Sequence, residues 1–378
     1  MTKPRILLLT HYYPAHRGGV EISAGRVAAR LAEQGFAITW VASDTDPPPD
    51  DCSNLRFVPV PANNWTENKI GIPYPLWPKS SLNTLRKEIA AAEIVHIHES
   101  LYQGNIAGAR IAREHEIPYV VTQHIGFIPY RNPILRMILT RANHQFALPT
   151  LEGARAIVFM SEVTQLYFAD LGLRNPASEL IPFGVDTEIF NPKVLSDRES
   201  FGFPGDRPLC IYVGRFVEKK GLPIIRRLAE LNPSVHWGLA GWGPIDPEKW
   251  RLPNVQVLRN LSGKTLAPLF RAADLFVMPS VGEGYPAVVQ ESLACGTPVL
   301  ISTETAEGYS PAKPFVNAVP ISDIAGWERT TADLISNLAG LRSKSAELVE
   351  FAQTHWSWSA CADRYEAMIL KAWGGAKA

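Results

Sequence analysis

Residues 274–300 read DLFVMPSVGEGYPAVVQESLACGTPVL, and the fold turns on how they are parsed. The apolar run 274–278 predicts a strand, and the Pro/Ser/Gly-rich stretch 279–286 predicts a turn. Residues 287–294 have helical spacing, closed by Gly296 and Pro298, and a second apolar run follows. Strand, loop, helix and strand in that order form a parallel α/β unit with a right-handed crossover. Glu283 falls in the loop and Glu291 in the helix. A loop that leaves the carboxyl end of a parallel strand and feeds a helix N-terminus is where α/β proteins hold anionic ligands.

The same grammar recurs on both sides. Upstream, 209–213 (LCIYV) reads as a strand, Gly214-Arg215 opens a loop, and Lys219, Lys220 and Gly221 precede a helix running to Glu230. Strands are expected at 235–240, which ends in Gly241-Trp242-Gly243, and at 254–258, with a short helix at 265–272. Helices are expected over 325–350 and 360–373. The N-terminal half opens identically: a buried strand at 5–10 (RILLLT), a loop 11–19 holding Gly18-Gly19, a helix over 20–34 and a strand at 36–42. A chain of 378 residues exceeds one compact core, so two Rossmann-like domains are expected. Residues 192–208 have linker composition. The expected division is 1–193 as the first domain and 194–355 as the second, with 356–378 packing back on the first.

Bulk composition narrows the function class. With 46% apolar and 20% charged residues, this is a globular enzyme or binding protein. Lys plus Arg equals Asp plus Glu, at 37 each, so no global field favours nucleic acid or a membrane. The cysteines, Cys52, Cys210, Cys295 and Cys361, are scattered without metal-ligand spacing, which suits a reducing cytoplasm. No run reaches the roughly 20 apolar residues that span a bilayer.

Four side chains converge on the rim of the second domain. Arg215 and Lys220 flank a Gly-rich turn and can meet a diphosphate. Glu291, one turn into its helix, can accept both hydrogen bonds of a vicinal diol. Glu283 can do the same for a sugar hydroxyl. In the first half, Gly18-Gly19 is either a ligand-facing turn or simply a tight one. His124 sits at the carboxyl end of the strand 119–123, the functional rim of such a sheet. His96 and His98 share one strand face and read as cleft lining or core rather than metal ligands. Asp44 and Asp46 lie in a proline-rich loop and read as solvated. Residues 61–80, with Trp65, Tyr74 and Trp77, read as irregular, either a self-packed lid or an acceptor or membrane surface. Arg131, Arg136 and Arg141 accompany Ile134, Leu135, Ile138 and Leu139 at helical spacing; this is either a core-facing helix or a basic amphipathic one at a membrane surface.

On these motifs the chain resembles the family 4 retaining glycosyltransferases (glycosyltransferase group 1) of the GT-B fold, nearly end to end. The family's E-x7-E element is matched by Glu283 and Glu291, and its G-R-x4-K-G element by Gly214, Arg215, Lys220 and Gly221. Its N-terminal Gly-Gly loop is matched by Gly18-Gly19, its cleft histidine by TQH ending at His124, and its closing segment by HWSWSACADRY at 355–365. The resemblance implies an α/β architecture of two Rossmann-like domains facing across a cleft, with the C-terminal helix crossing back onto the first. It implies that a sugar is moved from a UDP-, GDP- or ADP-sugar to a glycan or lipid-linked saccharide, with no cofactor and no metal. Such a hexosyltransferase would serve bacterial cell-surface polysaccharide or glycolipid synthesis, in the cytoplasm with peripheral contact to the inner membrane.

Position by position, the resemblance implies that Arg215 and Lys220 stabilise the leaving diphosphate and that Gly18 and Gly19 offer backbone to the distal phosphate. It implies that Glu291 binds ribose, that Glu283 and the stretch Tyr285, Pro286, Ala287 and Val288 hold the sugar, that Leu261 edges the base, and that His124 contacts sugar or acceptor. Three departures stand out: Pro286 where glycine is common, Trp242 where an acid is frequent, and ISTETAEGYSPAKPF at 301–315 in place of a Gly-Gly-x-x-Glu stretch, in which Glu307 is the candidate acid. The competing expectations are a catalytically silent binding protein on the same scaffold, or a GT-B nucleotide-sugar epimerase.

Overall fold

The structure, a computed structural model, describes residues 3–50, 53–70, 73–126, 133–193, 198–205, 207–281 and 285–375. The chain divides into two compact units, 1–182 with 361–378, and 183–360. The division falls upstream of the stretch 192–208 because Val185 and Phe190 are already part of the apolar core of the second unit.

In the first unit, the described residues form a seven-stranded parallel sheet: β1 (Ile6–Leu9), β2 (Ile38–Ser43), β3 (Leu55–Val60), β4 (Ile94–His98), β5 (Tyr119–Gln123), β6 (Ala156–Phe159) and β7 (Ser178–Leu180). The order is β3-β2-β1-β4-β5-β6-β7. Strands β1, β4 and β5 are buried along their whole length, as continuous apolar runs covered on both faces should be. The second unit holds a six-stranded parallel sheet: β8 (Leu209–Val213), β9 (His236–Ala240), β10 (Val255–Leu258), β11 (Leu275–Met278), β12 (Val299–Ser302) and β13 (Val316–Val319), in the order β10-β9-β8-β11-β12-β13. Both are doubly wound sheets, and in each the strand order reverses beside the first strand: between β1 and β4, and between β8 and β11. The crevice outside such a switch point is where ligands bind in open α/β sheets.

The opening stretch folds as expected: β11, a helix over Ala287–Ala294, then β12. Its first residue has a structural task. Asp274, nearly inaccessible, takes Arg198 at 2.8 Å and the Leu209 amide at 2.8 Å, and also pairs with Arg342. The C-terminal helix Trp358–Gly374 belongs to the first unit from Cys361 onward. There Lys3 pairs with Glu366 at 2.5 Å, and Gln34 donates to Asp363 at 2.7 Å.

Two expectations need correction. Residues 61–80 are not irregular throughout: Trp65–Ile70 form a helix and another starts at Lys79, while Trp77 is buried and Trp65 exposed. The expected helix 325–350 is three helices, Ile324–Ser336, Leu338–Ser343 and Ser345–Trp356; Asp323 caps the first, Asn337 ends it and caps the second through the Gly340 amide, and the third begins after Lys344 without a side-chain cap. No helix among the described residues is long and apolar enough to cross a membrane.

Candidate active site

In the second unit, the loops after β8 and β11 are locked together. The Val281 amide donates to the Lys219 carbonyl at 2.8 Å. Gly221 has φ +70, and a Cβ there would stand 1.8 Å from the Pro279 carbonyl oxygen. Only glycine permits both the backbone angle and that approach. Lys220, partly buried, is therefore carried beside the strand end that feeds the Glu291 helix, and Arg215 is exposed at the other end of the same loop. The Arg215 carbonyl is held by the Tyr212 hydroxyl at 2.9 Å.

The Ala287–Ala294 helix is entered through Pro286. The Ala287 and Val288 amides belong to its first turn and have no partner within the helix. Glu291 is largely buried, and burial alone pushes its carboxyl up to about 7. A desolvated acid at this position gains from any donor that reaches it. Leu261 is half-buried against the core of the unit. Glu283 lies outside the described residues, as does Arg131.

The residues that replace the expected Gly-Gly-x-x-Glu stretch form a short helix, Thr303–Ala306, and a 3-10 segment, Glu307–Phe315. Glu307 is exposed. The residue that matters structurally is Tyr309: fully buried, it stacks on Tyr285 with ring centroids 4.1 Å apart and donates to the Pro286 carbonyl at 2.5 Å. Trp356 sets its edge against both tyrosines. This aromatic clamp fixes the entry to the helix. The sequence signal for it was only a tyrosine in a proline-rich stretch.

In the first unit, the switch point between β1 and β4 gathers a polar cluster. Gly18 caps the helix Gly19–Glu33 without a side chain, which leaves its first-turn amides free of side-chain capping. Beneath that turn, Glu21 and His11 are both buried and meet at 2.7 Å. Burial lowers the His11 pKa despite Glu21, and His11 stacks on Tyr102 at 3.6 Å. At the next two strand ends, His98 Nδ1 lies 3.0 Å from His124 Nε2, and burial drives His124 down to about 3 and His98 well below its usual range. Both imidazoles are thus neutral near pH 7, one donating and one accepting. His96 meets the Thr122 hydroxyl at 2.8 Å. Among the described residues no group of three His, Cys, Asp or Glu is placed to hold a metal.

Sequence reasoning passed over Glu99. It is buried, has φ +75, and accepts from the amides of Ile125 at 3.0 Å and His124 at 3.3 Å and from the Gln123 side chain. Burial raises its carboxyl to about 7. The hydrogen bonds hold this non-glycine residue in a sparsely populated backbone region that costs energy unless its surroundings fix it. Asp46, read as solvated, instead meets His16 at 2.7 Å, whose other nitrogen lies 3.1 Å from Glu67.

Two family models cover most of the chain: Glycosyltransferase Family 4 matches residues 17–189 and Glycosyl transferases group 1 matches residues 207–337. The chain belongs to the family 4 glycosyltransferases. Among relatives of this glycosyltransferase, a D-inositol 3-phosphate glycosyltransferase from Xylanimonas cellulosilytica is 28% identical over 349 residues, covering 79% of this chain and 80% of that one. A Bacillus subtilis protein named as a candidate teichuronic acid biosynthesis glycosyltransferase is 27% identical over 226 residues, covering 58% and 55%. Sucrose-phosphate synthase from Thermosynechococcus elongatus superimposes with a TM-score of 0.72 at 19% identity, over 99% of this chain and 100% of that one. Anabaena HepE, solved in complex with UDP, gives 0.72 at 13% identity over 97% and 100%. These likenesses establish the GT-B fold of this family 4 glycosyltransferase.

Proposed function

We propose that this glycosyltransferase is a metal-independent, retaining hexosyltransferase that takes its sugar from a nucleotide-diphosphate sugar. The observation that carries the reading is the joined pair of loops at the β8–β11 switch point. The loop that carries Arg215 and Lys220 is thereby tied to the loop that enters the helix bearing the desolvated Glu291 carboxyl, which supports this reading. In this reading Arg215 and Lys220 hold the diphosphate and stabilise charge on the leaving group without a metal. Glu291 accepts from the ribose diol, Tyr285 to Val288 line the sugar together with Glu283, and Leu261 edges the base. Gly18 and Gly19 offer backbone amides to the distal phosphate, and His124, kept neutral, contacts sugar or acceptor. HepE has been solved with UDP-glucose, which favours a donor of that class.

A thermal-shift panel of UDP-, GDP- and ADP-sugars tests the donor, since a ligand bound only to the native state raises the melting temperature. If no nucleoside diphosphate or its sugar binds, the transferase reading fails in favour of a silent scaffold. Hydrolysis of the shifting donor with and without EDTA tests metal independence, and activity lost in EDTA would sink that part. The anomeric configuration of the product, read by NMR, tests retention.

The acceptor in this reading is a glycan or lipid-linked saccharide of the cell surface, in line with the name of the Bacillus relative. The helix Pro133–Ala142 supports a peripheral membrane contact, for Ile134, Met137 and Ile138 are exposed beside Arg136 and Arg141. Sedimentation with anionic vesicles is the test; the absence of salt-sensitive binding would overturn it.

A further inference from the structure

Trp242 is 63% exposed, yet its backbone is tied to the neighbouring loop. The loops after β8 and β9 are pressed together by their backbones. The Gly214 amide donates to the Ala240 carbonyl at 3.0 Å, and the Phe216 amide to the Trp242 carbonyl at 2.7 Å. A Cβ on Gly241, whose φ is +155, would stand 1.9 Å from the Gly214 oxygen. The backbone therefore brings the indole to Arg215, whose guanidinium carbon lies 4.8 Å from the ring centroid. Among the described residues no carboxylate pairs with Arg215.

Two physical consequences follow for the cation. A guanidinium stacked on an indole loses side-chain freedom before any ligand arrives, which lowers the ordering cost of binding. It also keeps its full charge, whereas a carboxylate partner would neutralise it and compete with an incoming phosphate. We infer that Trp242 is a positioning residue that pre-sets Arg215 for the donor diphosphate. This rests on the diphosphate role proposed above for Arg215.

The test is a double-mutant cycle on the full chain. Binding of UDP, GDP and ADP is measured by calorimetry for the unmodified protein, Trp242→Ala, Trp242→Phe, Arg215→Lys and the Arg215→Lys/Trp242→Ala pair. Trp242→Ala is expected to weaken diphosphate binding about 2- to 5-fold, the range an exposed cation–π contact supports. Trp242→Phe should restore most of it, and melting temperatures should not move, because the indole is on the surface. In the Arg215→Lys background, where a compact ammonium replaces the planar stack, the Trp242→Ala loss should shrink to under about 2-fold. An equal loss in both backgrounds overturns the inference, since the indole would then act on the nucleotide directly. So does a Trp242→Ala protein that binds normally. The diphosphate role of Arg215 fails separately: in that case Arg215→Ala binds as tightly as the unmodified chain.

Discussion

Replacing Glu291 with glutamine should make the protein more stable and a poorer binder. Burial pushes the Glu291 carboxyl from the ordinary 4.5 to about 7. At about 1.4 kcal/mol per pH unit, ionising it in place costs at most about 3 kcal/mol. The side chain keeps some exposure, and screening brings the expected figure to about 1–2 kcal/mol. The sign follows from proton binding. Between pH 4.5 and about 7 the folded chain holds a proton that the unfolded chain has lost. Stability therefore falls as pH rises through that window, and the loss is complete above it.

Glutamine keeps the shape without the charge. At pH 8 Glu291→Gln should exceed the unmodified protein by about 1–2 kcal/mol, which corresponds to about 2–8 °C in melting temperature for a unit of this size. Near pH 4.5 the two should coincide. Binding of the nucleoside diphosphate should drop about 10- to 100-fold, because an ionised acceptor is lost. Its rise with pH through about 7 should vanish in the variant. Differential scanning calorimetry at both pH values, with calorimetric titration at pH 8, reads all of this. A variant no more stable at pH 8 would refute the desolvation argument, and unchanged binding would refute the ribose role.

Four further outcomes are expected. Gly221→Ala should cost more than about 2 kcal/mol and over tenfold in donor hydrolysis, since the new Cβ meets the Pro279 carbonyl at positive φ; an unchanged melting curve would refute this. Glu99→Ala should lose about 2–3 kcal/mol by denaturant titration, because the His124 and Ile125 amides lose their acceptor, and a neutral result would mean water replaces it. Asp274→Ala should destabilise the second unit by about 3 kcal/mol through loss of the Arg198 and Leu209 contacts, as limited proteolysis or calorimetry would register. Tyr309→Phe should cost about 1 kcal/mol and weaken donor binding a few-fold, because the Pro286 carbonyl at the helix entry loses its partner; binding equal to the unmodified protein would count against the clamp.

Much of the second unit's strand, loop and helix order was legible in the chain. Local pattern carries strand, turn and helix, and the glycines at 214 and 221 with the cations between them sit in a motif whose spacing is local. What escaped was whatever depends on contacts between distant stretches. Asp46 read as solvated because nothing nearby in sequence foretells His16 as its partner. Glu99 belongs to no local motif, because its partners come from the next strand end, at 123–125. Trp242 looked like a departure from pattern until the β8 and β9 loops were seen to meet.

The sequence by itself determined two doubly wound α/β units, the order of their elements, and the residue types at their strand ends. Periodicity and turn chemistry are local, and local signals survive without a structure. Only the tertiary structure decided which strand ends are neighbours, and so which chemistries share an edge. The opening stretch 274–300 announced a strand, a loop and a helix with a glutamate in it. It did not announce that β11 would lie beside β8, that Gly221 would admit the Pro279 carbonyl, or that Tyr309 would hold Pro286. Those follow from sheet order and close packing, which are properties of the whole fold rather than of any window of it.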